Sequence, residues 1–366
     1  MSIAADKLNK TPWAFIVSAV AALAFLTAKY AGAELPQSSV IIGVEALFLG
    51  FAVFGAVHHA EILALKVGEP FGSIILALAV TIIEAALIIS QMTPGKPGVE
   101  FIGRDAVLAT VMIVLNGIVG LGILIGGAKH HEQNFNLDGS TAALSVLGTL
   151  AAITLILPNF TTAIPGPLYA PSQLAFVGFV SLVLYAIFVF VQTIRHREYF
   201  AVADASHSAD NISPASRTVA ISSIFLPISL LIVVLMAKAL SGPIDTALAA
   251  AGLPAAFLGV VIAAIVLLPE SLAALRAAHH NQLQTCLNLA LGSAIATIGL
   301  TIPTLAAFSL YSGAKLALGI SSQSIALLVL TLFISSVTLA TGRTTILQGA
   351  VHLVIFGVFL FLAAVP

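Results

Sequence analysis

The chain has 366 residues, of which 60% are apolar and only 8% are charged, and its formal net charge is −1. Soluble domains have about 45–50% apolar and about 25% charged residues, and nucleic-acid binders need a basic surface. The composition therefore excludes a soluble enzyme, a disordered protein and a nucleic-acid binder, and it indicates a protein whose main solvent is lipid.

A membrane helix needs about 20 mostly apolar residues, and the sequence contains eleven such stretches. They cover residues 13–33, 37–58, 70–92, 104–127, 140–158, 170–193, 217–240, 250–275, 284–307, 322–341 and 345–365. None of them alternates between polar and apolar residues as the strands of a membrane barrel do. The sequence therefore predicts an all-α integral membrane protein of about eleven transmembrane helices.

The first stretch follows a polar segment that contains Lys7 and Lys10. Its apolar run is longer than the core of a signal peptide, so we expect a helix that stays in the membrane. The single cysteine, Cys286, excludes an intramolecular disulfide. The connections are short, and most contain Pro, Gly or a charge: Glu69-Pro70, Pro94-Gly95-Lys96-Pro97, Pro165-Gly166-Pro167, Gly242-Pro243 and Thr341-Gly342-Arg343.

The longest polar segment lies near the midpoint of the chain and separates two groups of five stretches. An odd number of helices in each group forces opposite orientations, which is the layout of an inverted-repeat transporter. We therefore expect one transporter domain, residues 1–366, that consists of an extra first helix (1–36), a first repeat (37–194), a cytoplasmic linker (195–216) and a second repeat (217–366). Lys and Arg are more frequent on one side of this arrangement, which places the N-terminus in the cytoplasm.

Three acidic residues lie deep inside apolar stretches: Glu45, Glu84 and Glu270. A charged side chain at the bilayer centre costs at least about 2.5–3.5 kcal/mol, so such a group usually faces a cavity, a partner or an ion. Glu84 and Glu270 lie on the second helix of each half, and inverted repeats would bring both to the midplane. Glu45 has no counterpart in the second half. For each of the three, the alternative is a protonated side chain that is hydrogen-bonded inside the bundle.

Neutral polar residues near the two carboxylates are candidates to complete a cation site, because Ca²⁺ takes six to eight oxygen ligands. Pro269 also frees a backbone carbonyl one turn earlier, because proline has no N–H. The alternative is that these side chains only join helices. The candidates are Thr81, Asn116, Ser271, Asn288, Ser293 and Thr297.

Three histidine pairs are predicted at the cytoplasmic ends of helices: His58-His59, His130-His131 and His279-His280. Because histidine titrates near neutral pH, His58, His59, His279 and His280 are candidate pH sensors, and the alternative is that these residues are ordinary helix ends at the membrane interface. There is no zinc-protease motif and no Walker A motif, so neither that chemistry nor ATP as an energy source is expected.

Two segments resemble the repeats of the ChaA-type calcium/proton antiporters, within the cation/calcium exchanger superfamily. They are Gly68-Glu-Pro-Phe-Gly-Ser-Ile-Ile-Leu-Ala-Leu-Ala-Val-Thr-Ile-Ile-Glu84 and Leu268-Pro-Glu-Ser-Leu-Ala-Ala-Leu-Arg-Ala-Ala-His-His-Asn281, the latter continuing through Asn288 to Pro303. The segment Thr341-Gly-Arg-Thr-Thr-Ile-Leu-Gln-Gly-Ala-Val-His352 is also typical of that family.

The resemblance implies eleven helices and the export of cations driven by inward proton flow. It also implies that Glu84 and Glu270 bind the ion and that Asn116, Ser293 and Thr297 line its site. The wider superfamily often has Asn three residues before each acidic residue, whereas this chain has Thr81 and Leu267. The central segment is sparsely acidic, with Glu198, Asp204 and Asp210.

The sequence thus predicts a secondary active antiporter of the bacterial inner membrane that exchanges Ca²⁺, or alternatively Na⁺ or K⁺, for protons by alternating access. Its expected partners are lipid, inorganic cations and protons, with no cofactor and no nucleic acid. The alternatives are a passive cation channel without proton coupling and an intramembrane enzyme that uses the carboxylate pair.

Overall fold

The computed structural model of the chain describes residues 13–30, 39–68, 71–92, 98–200 and 214–365. Lys7 and Lys10, the connections at 69–70 and 93–97, and residues 201–213 of the expected linker, with Asp204 and Asp210, lie outside the described residues.

Eleven long helices account for most of the described chain, and the apolar stretches predict their order correctly. Their bounds are α1 (Trp13–Tyr30), α2 (Ser39–Val67), α3 (Phe71–Gln91), α4 (Val99–His130), α5 (Leu137–Phe160), α6 (Pro171–Arg195), α7 (Ser216–Ala250), α8 (Phe257–His279), α9 (Leu283–Ser312), α10 (Ser322–Leu339) and α11 (Ile346–Ala364). A one-turn helix, Arg197–Phe200, and two short strands, β1 (Gln133–Asn134) and β2 (Arg343–Thr344), complete the described elements.

Ten of these helices, all except α1, are long and apolar enough to cross a membrane, and α1 is a shorter apolar helix. Large apolar side chains lie on their outer surfaces: Phe176, Phe179, Phe333 and Phe361 are 62–65% exposed. Such surfaces suit a lipid solvent, in which backbone polar groups must be satisfied within each helix. The predicted class, an all-α integral membrane protein, is confirmed.

The ends of α2 and α7 differ from the prediction because polar residues and prolines lie inside these helices. α2 continues nine residues past its predicted end at His58, to Val67. α7 continues through Pro227 and Pro243 to Ala250, so Gly242-Pro243 is not a connection as predicted. Membrane helices tolerate such residues because neighbouring helices and hydroxyl side chains satisfy the freed polar groups.

The helices form two compact units, and each unit takes helices from both halves of the sequence. In the first unit, α2 packs mainly against α7 and α3, and α1 packs against α2 and α7. Polar side chains also join its helices: Ser241 Oγ on α7 donates to Gln91 Oε1 on α3 at 2.8 Å. The proposed repeat and linker boundaries stay a prediction.

In the second unit, the two halves make the same contacts twice with their roles exchanged. α4 packs against α11, and its counterpart α9 packs against α6. β1 follows α4 and pairs antiparallel with β2, which precedes α11. Correspondingly, Leu168 before α6 forms an antiparallel bridge with Ala317 after α9. Since α5 separates Asn134 from Leu168, the two pairings lie at opposite ends of the helices, as an inverted repeat requires.

Candidate ion-binding site

The two predicted acidic ligands differ in burial, but both have buried carboxylate oxygen. Glu84 lies in α3, in the first unit, and is 1% exposed, with Ile83 and Ala85 beside it also buried. Glu270 lies in α8, in the second unit, directly after Pro269; the residue is partly exposed but its Oε2 atom is buried. An acidic group inside a membrane helix usually faces a cavity, a partner or an ion.

A hydroxyl side chain lies close in sequence to each carboxylate. Thr81 Oγ1 donates to the Ala77 carbonyl at 2.8 Å, and Ser271 Oγ donates to the Leu267 carbonyl at 2.6 Å. Bonds of this kind, to a carbonyl one turn earlier, use the hydroxyl proton and leave the oxygen lone pairs for another partner. Both residues therefore stay available as oxygen ligands.

The third helix of each half contains a π-helical segment at the position of the predicted neutral ligands. The segment in α4 is Ile113–Ile118, which includes Asn116, and the segment in α9 is Thr297–Thr301. π-helical turns are rare and occur frequently at functional sites. Composition gives no signal for them, so the sequence could place Asn116 and Thr297 but not the local geometry that holds them.

Asn116 is the centre of a buried polar network that the sequence did not predict. Its Nδ2 donates to Thr331 Oγ1 on α10 at 2.9 Å, and its Oδ1 lies 3.0 Å from His352 Nδ1 on α11. His352 Nε2 in turn lies 3.1 Å from Thr338 Oγ1 on α10. All four side chains are at most 3% exposed. The sequence feature that could have indicated this network is the isolated histidine, His352, in the apolar run of α11.

On α9, Ser293 and Thr297 lie one helical turn apart and precede or begin the π-helical segment. Thr297 is 2% exposed. Ser293 Oγ is buried and has no hydrogen-bond partner within the described part of the chain. A buried hydroxyl without a partner costs about 1–3 kcal/mol, so this oxygen is a credible cation ligand.

The comparisons with known proteins agree with this geometry. The sodium/calcium exchanger protein family matches residues 37–194 and 221–365, one segment in each half. The chain belongs to this family. It is 51% identical over 333 residues to y4hA of Sinorhizobium fredii (strain NBRC 101917 / NGR234), covering 91% of each chain. It is 34% identical over 313 residues to the sodium-potassium/proton antiporter ChaA of Escherichia coli (strain K12), covering 84% of each.

Among solved structures, native YfkE has the same fold, with a TM-score of 0.73 over 96% of this chain and 100% of that one, at 17% identity. A selenium-substituted form, described as a Ca²⁺/H⁺ antiporter, has a TM-score of 0.71 over 96% and 99%. The resemblance to exchangers inferred from the two repeats is therefore confirmed.

Asn288, one of the candidate ligands, makes the hydrogen bonds expected of a side chain that joins helices. Its Nδ2 donates to the Phe200 carbonyl at 2.7 Å, and its Oδ1 accepts from Gln284 Nε2 at 2.8 Å. Gln284 Oε1 accepts from the Asn136 backbone N–H at 2.6 Å. Asn288 thus joins α9 to the one-turn helix and to the start of α5, and its amide is used in structural bonds.

The pair His58-His59 does not lie at a helix end as predicted, because α2 continues past it. His59 is completely buried; its Nδ1 lies 3.1 Å from Ser222 Oγ on α7, and its ring lies near Phe225. A histidine in this position joins α2 to α7 and is removed from the aqueous phase that a sensor would sample.

The other two pairs do lie at helix ends, and the structure brings them together in the second unit. His130 Nε2, at the end of α4, lies 3.1 Å from the His279 carbonyl at the end of α8. Lys129 Nζ donates to the same carbonyl at 3.2 Å, and His280 Nδ1 lies 2.7 Å from the Arg276 carbonyl. This exposed basic cluster is where pH sensing by His279 and His280 remains a proposal.

Proposed function

We propose that the chain is a cation/proton antiporter in which Glu84 and Glu270 bind either a cation or protons. The observation that carries this proposal is a carboxylate with buried oxygen on the second helix of each half, followed in each half by a π-helical segment with a buried amide or hydroxyl. Two similar proteins support it, since ChaA is a sodium-potassium/proton antiporter and YfkE, which has the same fold, is a Ca²⁺/H⁺ antiporter.

Charge balance explains how two carboxylates couple the movement of the cation to the movement of protons. A divalent cation and two protons neutralise the pair equally, so either can occupy the site without leaving an unpaired charge in an apolar surrounding. A monovalent cation neutralises only one carboxylate, and the other must keep a proton. The proton stoichiometry therefore distinguishes Ca²⁺ from Na⁺ or K⁺ as the transported ion, and Ca²⁺ is the ion that uses both carboxylates.

Neutral oxygens complete the proposed site. The proposed ligands are Thr81 in the first unit, and Ser271, Ser293, Thr297 and the Asn116 carbonyl oxygen in the second unit. Oxygen ligands suit hard cations such as Ca²⁺. In the described part of the chain, no group of three or more His, Cys, Asp and Glu side chains could hold a metal ion.

The proposed setting is a bacterial inner membrane with the N-terminus in the cytoplasm. Protons that enter down their gradient then displace the cation outward as the protein alternates between inward-facing and outward-facing states.

The test is proton movement in proteoliposomes with a trapped pH dye, with Ca²⁺, Na⁺, K⁺ and Mg²⁺ added separately. We expect Glu84→Gln and Glu270→Gln each to reduce cation-driven proton movement to that of empty liposomes, because an amide cannot exchange a proton for a cation. Glu132→Gln, at an exposed loop residue paired with Arg343, is the matched control and should retain exchange.

Retained exchange in either Glu84→Gln or Glu270→Gln would contradict the two-carboxylate mechanism. Tracer cations that cross without moving protons would instead indicate a channel.

A further inference from the structure

The buried network around Asn116 joins three helices of the second unit through side chains alone. It connects α4 to α10 through Thr331 and to α11 through His352, while Thr338 closes the far side of the histidine ring. These contacts link residues that are 14–236 positions apart in sequence. Every member is buried, so each polar atom must be satisfied within the network.

The sulfur of Met112 fixes the direction of these hydrogen bonds. It lies 3.4 Å from Thr331 Oγ1 and 3.8 Å from Asn116 Nδ2. Because a thioether sulfur accepts but cannot donate, both groups that face it must be donors. Thr331 therefore accepts from Asn116 and donates to Met112, and the amide nitrogen of Asn116 points towards α10.

The orientation of the Asn116 amide in turn determines which ring nitrogen of His352 carries the hydrogen. The Asn116 carbonyl oxygen cannot donate, so His352 Nδ1 must carry a hydrogen and donate to it across 3.0 Å. In the neutral ring, Nε2 is then an acceptor, and the Thr338 hydroxyl donates to it. The bonds run in one direction, from Thr338 through His352 and Asn116 to Thr331 and Met112.

The direction of these hydrogen bonds determines which atoms of the Asn116 side chain remain free to contact a ligand. Both hydrogens of its amide face Thr331 and Met112, and one lone pair of its carbonyl oxygen accepts from His352. The remaining capacity is one lone pair on oxygen. Asn116 is thereby restricted to the role of an oxygen ligand, and a cation on that oxygen would strengthen the N–H donation to Thr331.

Close backbone contact keeps His352 beside the π-helical segment. A Cβ atom added to Gly120 on α4 would lie 2.7 Å from His352 Cβ, and one added to Gly349 on α11 would lie 2.8 Å from the Gly120 carbonyl oxygen. Only glycine at these two positions allows the helices to approach so closely.

We infer that His352 is a positioning residue of the exchanger, which orients the Asn116 amide in the π-helical segment so that its carbonyl oxygen is presented to the transported cation. This inference rests on the proposed function and adds His352, Thr338 and Thr331 to it as residues that act through Asn116.

The test compares two substitutions of the histidine that keep different halves of its hydrogen bonding. Asparagine has its amide nitrogen as many bonds from Cβ as Nδ1, so His352→Asn keeps the donor to Asn116. Glutamine has its amide one carbon further, at the distance of Nε2, so His352→Gln keeps only the contact to Thr338. We expect His352→Gln to raise the KM for the cation about tenfold with Vmax retained, and His352→Asn to stay within about twofold of wild type.

The readout is the cation KM of proton movement in proteoliposomes, together with the rise in Tm on adding the same cation. Thr331→Val and Thr331→Ser form a second, independent pair that decides the question if His352→Gln does not fold. Valine removes the acceptor for Asn116 Nδ2 at nearly constant volume, and we expect it to raise KM, while serine keeps the hydroxyl and should not.

An unchanged KM in His352→Gln, or equal losses in both histidine variants, overturns the inference while leaving the antiporter proposal intact. In the second pair, an unchanged KM in Thr331→Val overturns it in the same way. A wild-type protein that neither exchanges nor is stabilised by any cation overturns the antiporter proposal and this inference with it.

Discussion

The acidic residue without a counterpart, Glu45, is explained by an ion pair. Its carboxylate lies 2.5 Å from Lys29 Nζ, and the side chains of Glu45 and Lys29 are 2% and 30% exposed. The pair joins the end of α1 to α2 within the first unit. Removing one partner of a buried pair strands the other charge, whereas removing both does not.

We therefore expect Lys29→Met to lower the free energy of unfolding by about 1–2 kcal/mol, less than for a fully buried pair because Lys29 is partly exposed. The double variant Lys29→Met, Glu45→Gln should recover part of this loss and retain exchange. Chemical unfolding in detergent micelles measures the free energy of unfolding of each variant. If the losses of the two single variants simply add in the double variant, Lys29 and Glu45 do not stabilise each other.

Single residues show which candidates sequence reasoning can select and which it cannot. A charged or amide group in an apolar run has few explanations, so Glu84, Glu270 and Asn116 could be selected from the sequence alone. The sequence could not select His352 and Thr331, because their importance depends on a contact with Asn116, which is 215 or more residues away. It could not select Thr338 either, because that residue acts on Asn116 only through the His352 ring. Asn288 was selected by the same rule, yet its partners are backbone and Gln284.

Among the elements, the contact between α4 and α11 depends on backbone proximity. A Cβ on Gly349 would lie 2.6 Å from the Leu124 backbone nitrogen, whereas a Cβ on Gly357, two turns further along α11, would meet nothing within 4 Å. Gly349→Ala should therefore force the helices apart and lower Tm by several degrees, at a cost of about 1–3 kcal/mol.

Gly357→Ala is the matched control in the same helix. Alanine there loses less entropy on folding than glycine, so Tm should stay equal or rise slightly. Thermal unfolding of the two variants in the same detergent separates them, and equal Tm values would contradict the close contact between α4 and α11.

The lengths of α2 and α7 show why helix ends were the least predictable feature of the elements. His58-His59 and Gly242-Pro243 resemble helix ends in a single sequence, but the hydrogen bond between His59 and Ser222 on α7 satisfies the polar group of the histidine between the two helices. Composition predicts that a helix exists. Where the helix ends depends on whether a neighbouring helix can hydrogen-bond to the polar residues that follow.

For the whole molecule, the proposed orientation can be tested with single cysteines, because Cys286 is the only cysteine and is buried. Asn134, after α4, and Lys315, after α9, are both exposed. With the N-terminus in the cytoplasm, Asn134→Cys should react with an impermeant maleimide only from the inside and Lys315→Cys only from the outside.

Labelling in intact and opened spheroplasts measures the two accessibilities. The reverse pattern would invert the proposed orientation, and labelling of both positions from one side would contradict the opposite placement of the two loops.

The exchanged contacts of the second unit make the two halves behave like the subunits of a domain-swapped dimer. α4 packs against α11, α9 packs against α6, and in the first unit α2 and α3 pack against α7. Each half completes its packing with helices of the other, so we expect the fold to form only after both halves have been synthesised. The polypeptides 1–200 and 214–366, produced separately, would have to complement each other to give a transporter, and each alone would be a substrate for membrane proteases.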